Sequence, residues 1–194
     1  MLVPFLVESA SQTLGRVLRD EYECRHVVMA QAQLNDSQVI LALNDLFIGH
    51  ASHVSARYRL EFNGQIETQS SSGIIVSTGA GSTGWMRSVV TGASRVVTAL
   101  HPQNSLCLQD DCRFSMDAEK LLFSVREPFV SKTSSAQWAF GEIAGQNLLE
   151  IHSLMPQNGV IFSDGIEDDY IAFNSGSIAH IGIAEQRVQL IVGV

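Results

Sequence analysis

The sequence predicts a mainly β protein of the α+β type: an antiparallel β-sandwich with one long helix after a glycine-rich loop and a short N-terminal helix. Many short apolar segments are separated by turn signals such as Asn63-Gly64 and Asp164-Gly165, which is typical of antiparallel sheets. One long stretch, residues 83–100, has apolar residues at helical spacing. With 45% hydrophobic and 16% charged residues, the chain can bury a sizeable core.

The 194 residues suit one domain of ordinary size, and we expect a single domain over residues 1–194. Its first 22 residues are predicted to be a helical lead-in. Within them, Ser9 or Ser11 can cap a helix over residues 9–22, in which Leu14 and Leu18 fall on one face.

Strands are predicted where short apolar or alternating segments lie between turns. Tyr58, Leu60 and Phe62 alternate with charged residues, as expected of a half-buried strand that leads into the Asn63-Gly64 hairpin. The predicted strands are residues 24–30, 38–43, 57–62, 65–69, 73–77, 121–125, 138–143, 148–154, 159–162, 170–173, 178–183 and 188–192.

The long helix follows the predicted strand of residues 73–77. Its apolar stripe is predicted to consist of Trp85, Val89, Val96 and Leu100, and Pro102 is expected to end it.

Charge and hydropathy exclude several classes of protein. A net charge of −8 disfavours a nucleic-acid binder and a binder of anionic membranes, which need basic surfaces. No apolar run reaches the roughly 18 residues of a membrane span, and the three cysteines make no even disulfide framework. We therefore expect a cytoplasmic protein with reduced thiols.

The glycine-rich loop of residues 79–84 follows a predicted strand and opens the long helix. Glycines allow a ligand to approach the backbone, and the start of a helix favours anionic or hydrogen-bonding ligands. The loop matches the G-x-G-x-x-G pattern of dinucleotide-binding folds. The following sequence lacks a second parallel strand that ends in an acidic residue, so we do not expect a Rossmann domain.

Two segments resemble motifs of the NAD kinase family. Residues 74–85, IIVSTGAGSTGW, resemble its signature IVSTPTGSTAY, and residues 42–48, ALNDLFI, resemble its ALNEVVI motif. The Asn63-Gly64 hairpin falls between the two motifs as in the family, and residues 162–165 with Gly176 resemble its terminal hairpins. The resemblance covers residues 23–194 and implies a β-sandwich with a NAD-binding surface.

The resemblance also implies roles for individual residues. Asn44 and Asp45 would hydrogen-bond a ribose or the base of the dinucleotide, and Asp164 would line the substrate pocket or a subunit interface. The loop and the first turn of the helix would line the nucleoside pocket. The implied substrate-binding residues are Asn44, Asp45, Gly81, Ser82, Thr83, Gly84, Trp85, Ser88 and Asp164.

The chain departs from the family in one important way. The GGDG motif, whose aspartate is the expected base for attack by the adenosine 2′-hydroxyl, is absent from these residues. We therefore expect NAD as substrate and NADP as product, with ATP or polyphosphate and Mg²⁺ bound only when a GGDG-bearing domain is present. The chain alone is predicted to be inactive, and the family implies a homodimer or homotetramer.

Two alternatives remain open at this stage. The chain can be a nucleotide-binding module without catalysis, or a domain of a related sugar or lipid kinase, because Asp45, Gly79 and Ala80 replace the family's usual residues. We expect no metal site, since neither the pair His50 and His53 nor the set His101, Cys107 and Cys112 supplies enough ligands.

Overall fold

Twelve strands and two α-helices make up the described part of the chain. The computed structural model describes residues 5–101, 112–145 and 147–193. The helices are α1 (Ala10–Val17) and α2 (Trp85–Leu100), and short 3-10 turns precede them at Val7–Ser9 and Gly81–Thr83. The strands are β1 (Glu23–Leu34), β2 (Val39–Ala42), β3 (Asp45–His50), β4 (Ala56–Phe62), β5 (Gln65–Ser71), β6 (Ile74–Ser77), β7 (Lys120–Val125), β8 (Phe140–Ala144), β9 (Leu149–Ser153), β10 (Gly159–Ser163), β11 (Tyr170–Ala172) and β12 (Ile178–Gly193).

The strands form two sheets of six strands each. The first sheet has the order β2-β1-β12-β9-β4-β5, and the second has the order β11-β10-β3-β6-β7-β8. Every strand pair is antiparallel. The predicted antiparallel β-sandwich is therefore confirmed.

The inner faces of the two sheets make the main core. In β4, Tyr58, Leu60 and Phe62 are buried while Arg57 and Arg59 are exposed, as the alternation predicts. The second sheet contributes Leu46, Ile48, Ile74 and Val76 to the same cluster. The side chains between them in sequence must therefore lie on the outer faces of the sheets.

Helix α2 covers part of the outer face of the second sheet. Met86 is fully buried against Ile75 and Leu122. The predicted stripe is wrong over the second half of the helix, where Val96 is 58% and Leu100 is 71% exposed. The side chains that pack on the sheet come from the first turns of the helix, residues 85–90. Pro102 lies outside the described residues.

Other elements differ from prediction in extent. Residues 178–193 form one strand rather than two, because β12 continues along β1 past a register irregularity between Val28 and Ala30. The sequence did not predict β3 at all, although its central residues are buried. Helix α1 ends at Val17, and Ser9 makes no side-chain cap.

Within the described residues, neither helix is long and apolar enough to cross a membrane.

The position of the core predicts that two leucines differ in their contribution to the free energy of unfolding. Replacement of the fully buried Leu60 by Ala should lower the free energy of unfolding by about 2–5 kcal/mol, because it leaves a cavity between the sheets. The control Leu154→Ala, at a leucine that is 45% exposed, should cost about 1 kcal/mol or less. Urea unfolding measures both, and equal losses would contradict the placement of the core.

Candidate functional site

Two loops meet at one edge of the second sheet. Strands β3 and β6 are antiparallel neighbours with Asp45 opposite Ser77, so the start of β3 lies beside the end of β6. The Thr78 N–H donates to the Asn44 carbonyl at 2.9 Å, and the Thr78 hydroxyl donates to the Leu43 carbonyl at 2.5 Å. The glycine-rich loop and the Asn44-Asp45 segment are thus joined into one structure.

The glycine-rich loop needs glycine at two positions for close packing. A Cβ on Gly81 would lie 2.2 Å from the Asn44 carbonyl oxygen and 2.8 Å from Oδ1 of Asp45. A Cβ on Gly79 would lie 2.1 Å from the Ser115 carbonyl oxygen. These glycines therefore allow the loop to lie directly against neighbouring backbone.

A third segment, the turn after β10, completes the edge. The Asp164 carboxylate accepts hydrogen bonds from the backbone N–H groups of Leu43, Asn44 and Asp45 at 3.0, 2.6 and 3.2 Å. The Asp164 N–H donates to the Asp45 carbonyl at 2.9 Å. Asp164 therefore holds the segment that carries Asn44 and Asp45.

Asp45 carries an unusual carboxyl group. Its Oδ1 is buried and has no hydrogen-bond partner among the described residues. Burial raises the pKa of Asp45 to about 6, the negative charge of Asp164 adds to that rise, and the Ser77 hydroxyl opposes it. A buried oxygen without a partner carries a desolvation cost that a hydrogen-bond donor from a ligand would offset.

An aromatic stack lies next to these carboxylates. The ring of Phe47 stacks on Trp85 at 5.7 Å between centroids and on Phe162 at 4.8 Å. The Arg126 guanidinium lies over the Trp85 ring at 5.3 Å, a cation–π distance. Phe47 lies two residues beyond Asp45 on β3, so the strand presents both side chains to the same face.

Two cavities share this stack as a common wall. The smaller, of about 290 Å³, brings together most of the residues that the resemblance singled out: Asn44, Asp45, Gly81, Thr83, Gly84, Trp85 and Asp164. The larger, of about 560 Å³, adds His50, His53, Ser72, Arg126, Glu127 and Tyr170. Phe47, Trp85 and Phe162 line both.

Two of the predicted site residues do not line either cavity. Ser82 is fully buried, and its hydroxyl donates to the Gly79 carbonyl at 2.7 Å and accepts from the Phe114 N–H at 3.4 Å. Ser88 is exposed on α2, and its hydroxyl donates to the Gly84 carbonyl at 3.3 Å. Both hydroxyls are hydrogen-bonded within the loop and the helix.

Sequence reasoning missed several residues of the site, among them Phe47, Phe162 and Arg126. Phe47 and Phe162 belong to segments that the resemblance covers. Their strand neighbours Leu46, Ile48 and Ile161 point into the main core, so both rings lie on the outer face. Arg126 directly follows β7 and carries no local signal, because its approach to Trp85 depends on the pairing of β6 with β7.

The charges that line the two cavities favour hydroxyl groups over polyphosphate. Asp45, Asp164, Glu127 and Glu167 contribute four carboxyl groups. Among the described lining residues, Arg126 is the sole lysine or arginine. Carboxylates accept hydrogen bonds from ribose hydroxyls, as in dinucleotide sites, but they repel phosphates.

The raised pKa of Asp45 predicts a pH-dependent stability. The folded protein binds the proton of the Asp45 carboxyl more tightly than the unfolded chain, whose aspartates have a pKa near about 3.9. The stability that this proton contributes is therefore complete below about pH 3.9 and is lost as the pH rises through about 6. The Asp45→Asn variant should therefore gain stability relative to the native protein between about pH 4 and 7, by at most about 3 kcal/mol.

Urea unfolding across this pH range measures the effect. The control Asp36→Asn, at an exposed carboxyl whose pKa is lowered by hydrogen bonds from Gln38, should show no such rise. A pH-independent difference between the Asp45→Asn variant and the native protein would contradict the assignment.

Comparison with known proteins gives a match in fold. No family model and no curated protein matches the sequence. The crystal structure of yeast NADH kinase complexed with NADH covers 100% of this chain with a TM-score of 0.67 and 14% identity. The match covers 51% of that kinase, so the chain spans about half of its length. The chain is therefore similar in fold to NADH kinase.

Proposed function

We propose that this chain binds a NAD-type dinucleotide and forms the acceptor half of a NAD-kinase-like phosphotransferase. The observation that carries the proposal is the Asp45 carboxyl, which lines a cavity between two joined loops and beside an aromatic wall, and whose buried Oδ1 has no hydrogen-bond partner among the described residues. The fold similarity to a kinase that was crystallised with NADH supports the same ligand class.

The small cavity is suited to a ribose. Asp45 offers an oxygen that lacks a donor within the described chain, and Asn44 offers a side-chain amide beside it. A ribose hydroxyl can donate to the Asp45 carboxyl once its side chain turns toward the cavity, and a neighbouring hydroxyl can accept from the Asn44 amide. The 290 Å³ cavity is close to the lower size limit of ligand pockets, at roughly 300 Å³.

The larger cavity is suited to the rest of the dinucleotide. Phe47, Trp85 and Phe162 form the apolar wall between the two cavities, against which a nucleobase can pack. Arg126 lies on the same wall, and its guanidinium can donate to a phosphate oxygen while it remains over Trp85. One nucleoside would therefore occupy each cavity, with the diphosphate between them.

The phosphoryl donor does not suit this cleft. A triphosphate or polyphosphate with its metal needs several cations and an anion-binding loop, whereas Arg126 is the one cation among the described lining residues. Both oxygens of Asp164 already accept backbone N–H groups, so the cleft does not fit a magnesium site. We propose that ATP or polyphosphate and Mg²⁺ bind to a GGDG-bearing part, and that this chain alone transfers no phosphate.

The resemblance further leads us to propose a homodimer or homotetramer in the cytoplasm. The exposed apolar side chains of the N-terminal segment, Leu14 and Leu18, are consistent with burial in such an assembly.

A pair of glycine variants tests the proposed binding site. Gly81→Ala should weaken NADH binding at least tenfold, because the added Cβ would lie 2.2 Å from the Asn44 carbonyl and separate the two loops. The control Gly92→Ala lies in α2 with no atom within 4 Å of the added Cβ, and it should bind as the native chain does.

Calorimetric titration with NADH gives the affinities, and circular dichroism confirms that each variant is folded. Two results would contradict the proposal. One is the absence of binding to the native chain at millimolar NADH, and the other is unchanged affinity in a folded Gly81→Ala variant.

A charge variant tests how the ligand lies across the cavities. Arg126→Gln should weaken NADH binding about tenfold, the effect expected for loss of a charge-assisted hydrogen bond, and leave adenosine binding within about twofold. Arg95→Gln, at an exposed arginine of α2 that lines neither cavity, is the matched control. Equal effects of Arg126→Gln on NADH and adenosine would exclude a phosphate contact.

A further inference from the structure

Four metal-ligating side chains converge on the outer face of the first sheet. They are Glu61 of β4, Glu150 and His152 of β9, and His180 of β12. This face points away from the core, since the intervening residues Leu60 and Ile151 are fully buried. The two cavities described above lie on the outer face of the other sheet, so this cluster is separate from the proposed nucleotide site.

The strand register brings the cluster together. Glu150 lies directly opposite Glu61 of β4 and opposite His180 of β12. His152 is two residues beyond Glu150 and therefore projects from the same face of β9. Three adjacent, hydrogen-bonded strands thus hold the four side chains, which makes the arrangement rigid.

The distances approach those of a coordination sphere. Ligand atoms of Glu61, Glu150 and His152 all lie within 4.8 Å of one another. His180 Nδ1 is 3.2 Å from Oε2 of Glu150, and His152 Nε2 contacts the other oxygen of the same carboxylate. Ligands at about 2.0–2.2 Å from a tetrahedral ion lie roughly 3.4 Å apart, so Glu61, Glu150 and His152 need only modest side-chain rotations to surround an ion, and His180 would join them from its position beside Glu150.

The charges at this place favour a cation. Glu61 and Glu150 are directly opposed on neighbouring strands, an arrangement that destabilises a sheet when both carry a negative charge. A divalent ion between them would remove this repulsion and accept both imidazoles as ligands. A set of two imidazoles and two carboxylates suits zinc and related transition metals better than magnesium or calcium.

The cluster is accessible but partly enclosed. The side chains of His152 and Glu150 are 19% and 29% exposed. Glu150, Glu61 and His180 line a surface depression of about 500 Å³, and His152 lies beside it in contact with Glu150. An ion at this point can enter from solvent and retain a water molecule or another small ligand.

One neighbouring cation opposes metal binding. Arg59 Nη2 lies 3.1 Å from Nδ1 and 3.3 Å from Nε2 of His152. Arg59 is exposed, so its long side chain can turn into solvent when an ion binds. Its charge should lower the affinity for the ion, and its removal should raise that affinity.

We propose that Glu61, Glu150, His152 and His180 form a binding site for one divalent transition-metal ion of the zinc class. The site lies on the face of the sandwich opposite the nucleotide cleft. This site can be distinguished from a simple network of surface ion pairs. In a metal site, the glutamates and the histidines both contribute to zinc binding, and the neighbouring Arg59 weakens it.

Equilibrium dialysis of the chain against Zn²⁺ tests the site, with the metal content measured by mass spectrometry. The native chain should bind one equivalent. The variants Glu150→Gln and His152→Gln should each weaken binding at least tenfold, whereas Arg59→Gln should strengthen it several-fold. The control His26→Gln, at an exposed histidine of β1 that lines neither cavity, should leave zinc binding unchanged.

Three results would overturn the site: no stoichiometric zinc on the native chain, zinc that persists in a folded Glu150→Gln/His152→Gln variant, or zinc that is lost when Cys24 and Cys112 are replaced by Ser. Circular dichroism in the absence of metal establishes that each variant is folded. The Arg59→Gln variant is expected to bind zinc more tightly than the native chain, and a gain in affinity cannot be explained by unfolding of the variant. NADH titration of the same variants separates this proposal from the proposed function.

Discussion

The carboxylate of Asp164 accepts three backbone N–H groups from residues 43–45, and the whole candidate site depends on this interaction. It fixes the turn after β10 to the segment before β3. Thr78 then joins that segment to the glycine-rich loop. Without these bonds three loops at one edge of the sheet would move independently. With them, Asp45 is held partly buried beside Gly81, where its Oδ1 lacks a donor within the described residues.

The outer faces of the two sheets carry two separate candidate binding surfaces. The inner faces bury a single main core, so the outer faces are free to carry polar side chains without loss of stability. The second sheet presents the aromatic wall and the carboxylates of the cleft. The first sheet presents the Glu and His cluster. Because a rigid sandwich lies between them, we expect binding at one surface to have little effect at the other.

The sequence predicts the features that depend on local patterns. The alternation in β4 and the Asn63-Gly64 hairpin appear as expected, and the two motifs place Asn44, Asp45 and Trp85 around one cavity. Pairing between distant strands was not predictable in this way. Arg126 reaches Trp85, and Glu61 meets Glu150, only because of strand neighbours that lie far apart in the chain. The exposed end of α2 shows the same limit, since helical periodicity does not reveal which turns of a helix are buried.

The central claim is that the Asp45 carboxylate accepts a hydrogen bond from a bound dinucleotide. Carbon-13 NMR of the Asp45 carboxyl, assigned with the Asp45→Asn variant, tests it most directly. The carboxyl should titrate near the pKa of about 6 in the free chain. With saturating NADH the pKa should fall, because a donor to the carboxylate stabilises its charged form. A titration that NADH leaves unchanged, or moves to higher pH, would contradict this account.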